Sequence, residues 1–169
     1  MSNAAELPFA RHAVATLAYR AAKVLRGFPE AHANDRLSPA TRTAHEILEH
    51  LGDLADWATS LAAGAEKWEP RASPTWKEGE ERFFAGLRAL DDALVAGPPS
   101  ETLKKLLQGP IADALTHVGQ LALLRGLAGA AVRPESFARA DIQAGHVGRD
   151  QPAPRKEFDG DASRGRRKG

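Results

Sequence analysis

The apolar residues of this 169-residue chain belong to a helix-forming set, and this bias constrains the fold more than any other feature. The chain contains 33 alanines and 19 leucines against 6 valines and 3 isoleucines. Alanine and leucine favour helices, whereas β-branched residues favour strands. We therefore expect an all-α protein.

Start and stop signals divide the sequence into four long helical segments and one short one. Serine followed by proline, at residues 38–39 and again at 73–74, is typical of an N-cap followed by the first helical residue. Glycine after a periodic segment is typical of a helix end. We predict long helices over residues 9–26, 38–63, 73–96 and 110–128, and a short helix over residues 101–108. Helices of this length without strand patterning predict an antiparallel four-helix bundle.

The length fits a single domain. We assign the bundle to residues 1–148 and a C-terminal strap with a flexible basic tail to residues 149–169. Proline, glycine and mixed charge dominate from residue 130 onward, which predicts an extended or short-helical strap as far as residue 158 and disorder beyond it.

Composition excludes several classes of function. Cysteine is absent, which removes thiol nucleophiles, thiolate zinc sites and disulfides. Residues 149–169 hold seven basic and four acidic side chains, whereas the rest of the chain is slightly acidic, so nucleic acid is an unlikely partner and a tail-borne tether to nucleic acid or a membrane surface ranks last. No apolar run could span a bilayer and the N-terminus lacks a secretion signal, so we expect no membrane partner and a cytoplasmic location.

The fourth long helix combines an apolar surface with two polar residues that carry chemistry. Apolar residues cover most of its circumference, which predicts burial. Asp113 and His117 lie four residues apart on one stripe of this helix, with Gln120 beside them, so they must pair or bind something if they are buried. On the second helix, angular position places His50 at the edge of the apolar stripe and His45 on the polar side.

His50, Asp113 and His117 form a candidate three-ligand set for a divalent ion, with positions left open for water or substrate. Glu46 and Asp53 lie one turn either side of His50 and are candidates to orient its imidazole. An ion held there would activate water toward a small substrate. The same residues could instead form a buried hydrogen-bonded network, which is the more common use of such groups.

Residues 109–125, GPIADALTHVGQLALLR, resemble the fourth helix of the DinB-like (DinB/YfiT-like) family of metalloenzymes. That helix carries a His-x-x-x-His-x-Gly-Gln pattern followed by an arginine. Residues 43–57, with His50, are similar to the family's second helix, and the likeness extends over residues 9–148. The resemblance implies that His50 and His117 match two of the three metal-binding histidines, with Asp113 in the place of the third.

The resemblance also implies a function and an assembly. Members of the family resemble metal-dependent enzymes, some of them thiol-dependent transferases or isomerases, and they are often homodimers. We accordingly expect a divalent metal ion (zinc, nickel or iron), a small-molecule substrate processed by hydrolysis or group transfer, and a homodimer. An aspartate ligand adds negative charge and changes the metal preference. The alternative is a non-catalytic dimeric helical bundle whose core histidines and aspartate form a hydrogen-bond network.

Other residues have weaker claims. Arg125 could bind an anionic substrate or pair with a carboxylate such as Asp53, and the ion pair is the more common outcome. His146 lies on the strap, which could fold over the site, although an ordinary loop histidine is the default interpretation. Trp57 shares the His50 edge and could wall a pocket, with core packing the favoured alternative. Three further histidines are expected to be solvated: His12, His32 and His45.

Overall fold

The computed structural model describes residues 3–158 of the chain. Five α-helices follow one another: α1 Asn3–Leu25, α2 Ala44–Ala62, α3 Trp76–Val95, α4 Ser100–Leu106 and α5 Ala112–Leu127. Across the described range, β pairing is limited to one isolated bridge between Glu135 and Glu157, so the all-α prediction is confirmed. Within the same range, no helix combines the length and hydropathy needed to cross a bilayer. The disorder predicted for the tail concerns residues 159–169, which lie outside the described part.

Helices α2 and α3 begin later than the serine–proline signals predict. The N-caps are Thr43 and Thr75, whose side chains accept hydrogen bonds from the backbone N–H groups of Glu46 and Glu78. A threonine followed by glutamate three residues later forms a capping box, which satisfies two helix-end donors at once at the start of α2. Ser38 instead closes a turn with Thr41. The predicted start at residue 38 is therefore wrong by one and a half helical turns.

Helices α4 and α5 are separated by a kink within Leu107–Ile111, which agrees with the predicted end of one helix at residue 108 and start of the next at residue 110. The backbone at Gly109 departs from helical values, with φ −98° and ψ −105°. Trp57 of α2 packs against this glycine, since a Cβ built there would lie 3.3 Å from the indole ring. The kink leads directly into the turn of α5 that carries Asp113.

The helices do not all alternate in direction, which corrects the predicted antiparallel arrangement. Gly79 of α3 packs against Leu48 of α2, and Gly86 packs against Ala55 one to two turns further along both helices. Helices α2 and α3 therefore run parallel. Helices α2 and α5 run antiparallel. Trp57 near the end of α2 contacts Gly109 before α5, whereas His50, earlier in α2, contacts His117 within α5.

Leucine and alanine side chains from all five helices fill one core. Helix α5 contributes less to it than predicted, because its buried residues are limited to Ala114, Val118 and Leu121. Leu123 and Leu127 are about two-thirds exposed, at 64% and 60%. The prediction that α5 is buried all round is therefore wrong, and the face with Asp113 and His117 borders solvent.

The described part of the C-terminal strap packs across α1 and α3. It contains one 3-10 turn, Phe137–Arg139, and is otherwise irregular. Val147 is buried in the main core. The strap is also held by charge, because Lys23 of α1 binds Glu135 and Glu157 at 2.7 Å each. The strap thus covers the side of the bundle formed by these helices.

Candidate metal centre

His50, Asp113 and His117 come together where α2 packs against α5. The Nε2 atom of His50 lies 3.5 Å from Asp113 Oδ2, and Nε2 of His117 lies 3.4 Å from Asp113 Oδ1. The two imidazole rings are nearly perpendicular, with centroids 4.7 Å apart. One ligand atom from each residue lies within 4.8 Å of the other two. The structure thus brings together all three residues selected from the sequence.

The spacing of these atoms fits a divalent ion. Two ligand atoms that each lie about 2.1 Å from an ion, at a tetrahedral angle, are about 3.4 Å apart. The separations of 3.4 and 3.5 Å, which join the two histidines to different oxygens of Asp113, are of this size, and all three ligand atoms lie within 4.8 Å of one another. Two imidazoles and one carboxylate form a common donor set for zinc and for non-haem iron. The three residues therefore fit the group that the resemblance implies.

The two histidines are enclosed, whereas the carboxylate faces solvent. The side chains of His50 and His117 are 17% and 12% exposed, and that of Asp113 is 46% exposed. Closed structural metal sites use four protein ligands, and catalytic sites keep an open position. Three ligands with one exposed side match the open type.

Burial controls the protonation of His50. Desolvation lowers the pKa of its imidazole, the charge of Arg42 and the neighbouring His117 lower this pKa further, and Asp113 opposes them. A histidine with a lowered pKa is neutral at neutral pH, and the neutral ring is the form that ligates metals. His50 is therefore in the state that a metal ligand requires.

Gln120 orients the second histidine. The Nδ1 atom of His117 lies 2.8 Å from Gln120 Oε1, one turn along α5. With the amide oxygen as acceptor, Nδ1 carries the proton, and Nε2 keeps a lone pair directed toward Asp113 and His50. Gln120 lies three residues after His117, and residues at this spacing are neighbours on a helix surface, so the sequence predicts this contact.

Glu46 does not take the orienting role predicted for it. One carboxylate oxygen pairs with Arg36, and the other accepts a hydrogen bond of 2.7 Å from the backbone N–H of Thr43. Both interactions hold the start of α2, and they lower the pKa of this carboxyl group. Glu46 is therefore a helix-capping residue rather than a partner of His50.

Asp53 is also engaged away from the histidines. Its Oδ1 atom accepts hydrogen bonds from the Arg82 guanidinium of α3, at 2.6 Å, and from the backbone N–H of Arg71, at 2.9 Å. The carboxylate is buried. Asp53 thus joins α2 to α3 and to the connection between them, in place of the orienting role predicted from the sequence.

A tryptophan that the sequence analysis did not select lies beside the site. Trp68, in the connection from α2 to α3, contacts His50 edge to face, with ring centroids 5.8 Å apart. Trp57 also packs edge to face with Trp68, with ring centroids 5.8 Å apart, and its indole N–H donates to Glu66. Trp57 therefore supports the wall of the site, and Trp68 forms it.

An open cleft of about 580 Å³ adjoins His50. Trp68 and the residues before and within the first turns of α2 line it, together with the end of the α2–α3 connection. Both signs of charge are present, including Arg42 and Glu49. A small molecule in this cleft would contact His50 directly.

The remaining candidates lie away from the site. Arg125 donates to the backbone carbonyls of Val24, Arg26 and Ala130, so it holds the end of α1 and does not pair with Asp53. His146 is exposed on the strap and contacts the carbonyl of Asp150. His12 and His32 are exposed as predicted, whereas His45 is half-buried and contacts the carbonyl of Ser73.

The chain matches no family model, no curated protein and no solved structure in the comparisons made.

Proposed function

We propose that the chain is a metal-dependent enzyme whose divalent ion is held by His50, Asp113 and His117. The observation that carries the proposal is the convergence of two histidines and one carboxylate within 4.8 Å, from two helices that are distant in sequence. The resemblance of residues 43–57 and 109–125 to the DinB-like helices supports it, and so does the open side of the site.

The residues of the chain have distinct tasks in this proposal. His50 offers a neutral nitrogen, Gln120 fixes the nitrogen that His117 offers, and Asp113 supplies the negative charge. A bound divalent ion (zinc, nickel or iron) would supply Lewis acidity toward water or a substrate oxygen. The cleft beside His50 gives a small-molecule substrate access. Hydrolysis and group transfer are the reaction classes that this arrangement serves.

A second candidate rests on a specific contact. Asp113 lies within 3.5 Å of both imidazoles, so the carboxylate could bridge them without an ion. The chain would then be a non-catalytic helical bundle with a structural network. The exposure of Asp113 weakens this alternative, because an exposed carboxylate has water available and needs no protein partner. The homodimer and the cytoplasmic location stay predictions under either candidate.

The test is elemental analysis of protein purified without chelators or immobilised-metal chromatography. We expect about one divalent ion per chain, and we expect the ion to raise the melting temperature because it binds the folded state alone. His117→Ala should lose both the ion and this stabilisation. His12→Ala, at an exposed histidine on α1, is the matched control and should keep them.

Asp113→His separates the two candidates. In the metal proposal this variant restores a third histidine and retains the ion. In the network alternative it removes the only carboxylate near the two rings among the described residues, so it destabilises the chain without any effect of added metal. Metal content that is unchanged in His117→Ala, or absent after divalent ions are added back, would overturn the proposal.

A further inference from the structure

The acidic residues of the cleft beside His50 are all engaged within the chain. Each of the three carboxylates that line it has a partner of its own: Glu46 with Arg36, Glu49 with the backbone N–H of Ser73, and Asp53 with Arg82. Glu46 and Asp53 are paired with guanidinium groups, whereas the N–H group that Glu49 accepts from is neutral. All three carboxylates thus have hydrogen-bond partners other than Arg42.

Not every cation of the cleft has an ion-pair partner. Arg36 pairs with Glu46, and Arg71 pairs with Asp56 at 2.6 Å. Arg42 lines the same cleft, yet it makes no hydrogen bond or ion pair with any residue of the range 3–158. A guanidinium is charged at every physiological pH, so Arg42 offers a positive charge and N–H donors that have no partner within that range.

The position of Arg42 is fixed although its head group is free. It directly precedes Thr43, the residue whose capping box begins α2, so its backbone is anchored at the mouth of the cleft. Arg42 and His50 both line the cleft, and the charge of Arg42 lowers the pKa of His50. Arg42 therefore faces the same space as the candidate metal ligand.

Apolar surface lies across the cleft from these charges. Trp68 is 47% exposed and stands against the His50 ring. Pro39 and Pro70 also line the cleft. A ligand that occupied this space would gain from a flat or apolar body as well as from a negative group.

We propose that the cleft binds a small organic anion, with an oxyanion group on Arg42 and an apolar body beside Trp68 and His50. The inference rests on the proposed function, whose substrate class it names. The planar fork of a guanidinium matches a carboxylate or a phosphate through two parallel hydrogen bonds.

Benzoate is the probe, because it joins a carboxylate to a flat apolar ring, and benzamide is its neutral counterpart. Binding is followed by NMR, at constant ionic strength, through the indole N–H signal of Trp68. We expect benzoate to shift this signal saturably and benzamide to bind at least about tenfold more weakly, as loss of a charge-assisted pair predicts. Phenyl phosphate in place of benzoate shows which oxyanion the cleft prefers.

Arg42→Gln should weaken benzoate binding by at least about tenfold, because it removes the charge and the fork. Arg88→Gln, at an exposed arginine of α3 outside the cleft, is the control and should bind as the unaltered chain does. Equal binding of benzoate and benzamide, unchanged binding in Arg42→Gln, or no saturable shift would each overturn the inference.

The same titration is made with metal-loaded and with chelator-treated protein. Arg42-dependent binding of benzoate in both forms supports the anion site independently of the ion. Absence of metal from the chain, measured by elemental analysis, contradicts the proposed function but leaves this binding in place. The two failures are therefore distinguishable.

Discussion

Gln120 determines which nitrogen of His117 faces the other candidate ligands. It is exposed on α5, so it contributes little to the core, and within residues 3–158 its side chain makes one hydrogen bond, to His117 Nδ1. Partners of metal-bound histidines commonly affect metal affinity about 10- to 100-fold. At the scale of single residues, the site thus depends on an amide as well as on its three ligands.

We predict that Gln120→Leu weakens zinc binding about tenfold or more without loss of folding stability, because the imidazole is no longer held in one orientation. Isothermal titration calorimetry with zinc measures the affinity, and urea unfolding measures the stability. Gln108→Leu, at another exposed glutamine, is the control. Equal zinc affinity in the two variants would show that Gln120 has no part in the site.

At the scale of elements, a close backbone contact packs α2 against α3. A Cβ on Gly86 would lie 2.7 Å from the Cβ of Ala55, which is shorter than real contacts allow. Thr59 donates to the carbonyl of Gly86 at the same place. The parallel pairing of these helices therefore requires glycine here, and it positions His50 on the opposite side of α2.

We predict that Gly86→Ala lowers the free energy of unfolding by about 1–3 kcal/mol, because the added methyl group forces the helices apart. Gly119→Ala is the matched control. Gly119 is helical, with nothing within 4 Å of an added Cβ, so alanine there should stabilise by about 0.5–1 kcal/mol. Urea unfolding of both variants gives the two values. A loss at Gly119 equal to that at Gly86 would contradict the packing argument.

The helix content could be predicted from the sequence because apolar periodicity and helix start and stop signals are local features. The starts at residues 38 and 73 were wrong, since two cap signals compete in each place and a glutamate three residues after Thr43 and Thr75 decides between them. The relative direction of α2 and α3 is harder to predict from the sequence. The connection over residues 63–75 is long enough to return along α2, so its length permits either a parallel or an antiparallel neighbour.

Part of the candidate site could also be predicted from the sequence, and the other part could not. His50 could be chosen over His45 because a helix fixes the angle between them, and the same rule placed Asp113 beside His117. Trp68 and Arg42 come from irregular segments, whose positions depend on the path of the chain in three dimensions. No spacing in the sequence predicts that these two residues share a cleft with His50.

At the scale of the whole molecule, the strap is tied to the bundle by a buried acid. Arg149 of the strap lies 2.7 Å from Glu80 of α3, whose side chain is 3% exposed. Burial raises the pKa of Glu80 above its ordinary value of 4.5, and the charge of Arg149 opposes this effect only in part. Ionisation of Glu80 at neutral pH therefore lowers the free energy of unfolding of the chain.

We predict that the wild-type chain loses stability relative to Glu80→Gln as the pH rises above about 4.5. The folded state holds this proton more tightly than the unfolded state, so the contribution is complete below the unfolded pKa and is lost through the folded pKa. Urea unfolding between about pH 4 and pH 8 measures the difference. A pH-independent difference for Glu80→Gln would contradict the assignment.

The most direct test of the central claim is anomalous X-ray diffraction from crystals of the chain soaked in zinc. The account predicts one strong peak between α2 and α5, about 2.0–2.2 Å from His50 Nε2, an Asp113 carboxylate oxygen and His117 Nε2. The absence of a peak there, with the Asp113 carboxylate still bridging the two rings, would contradict the metal centre and favour the hydrogen-bond network.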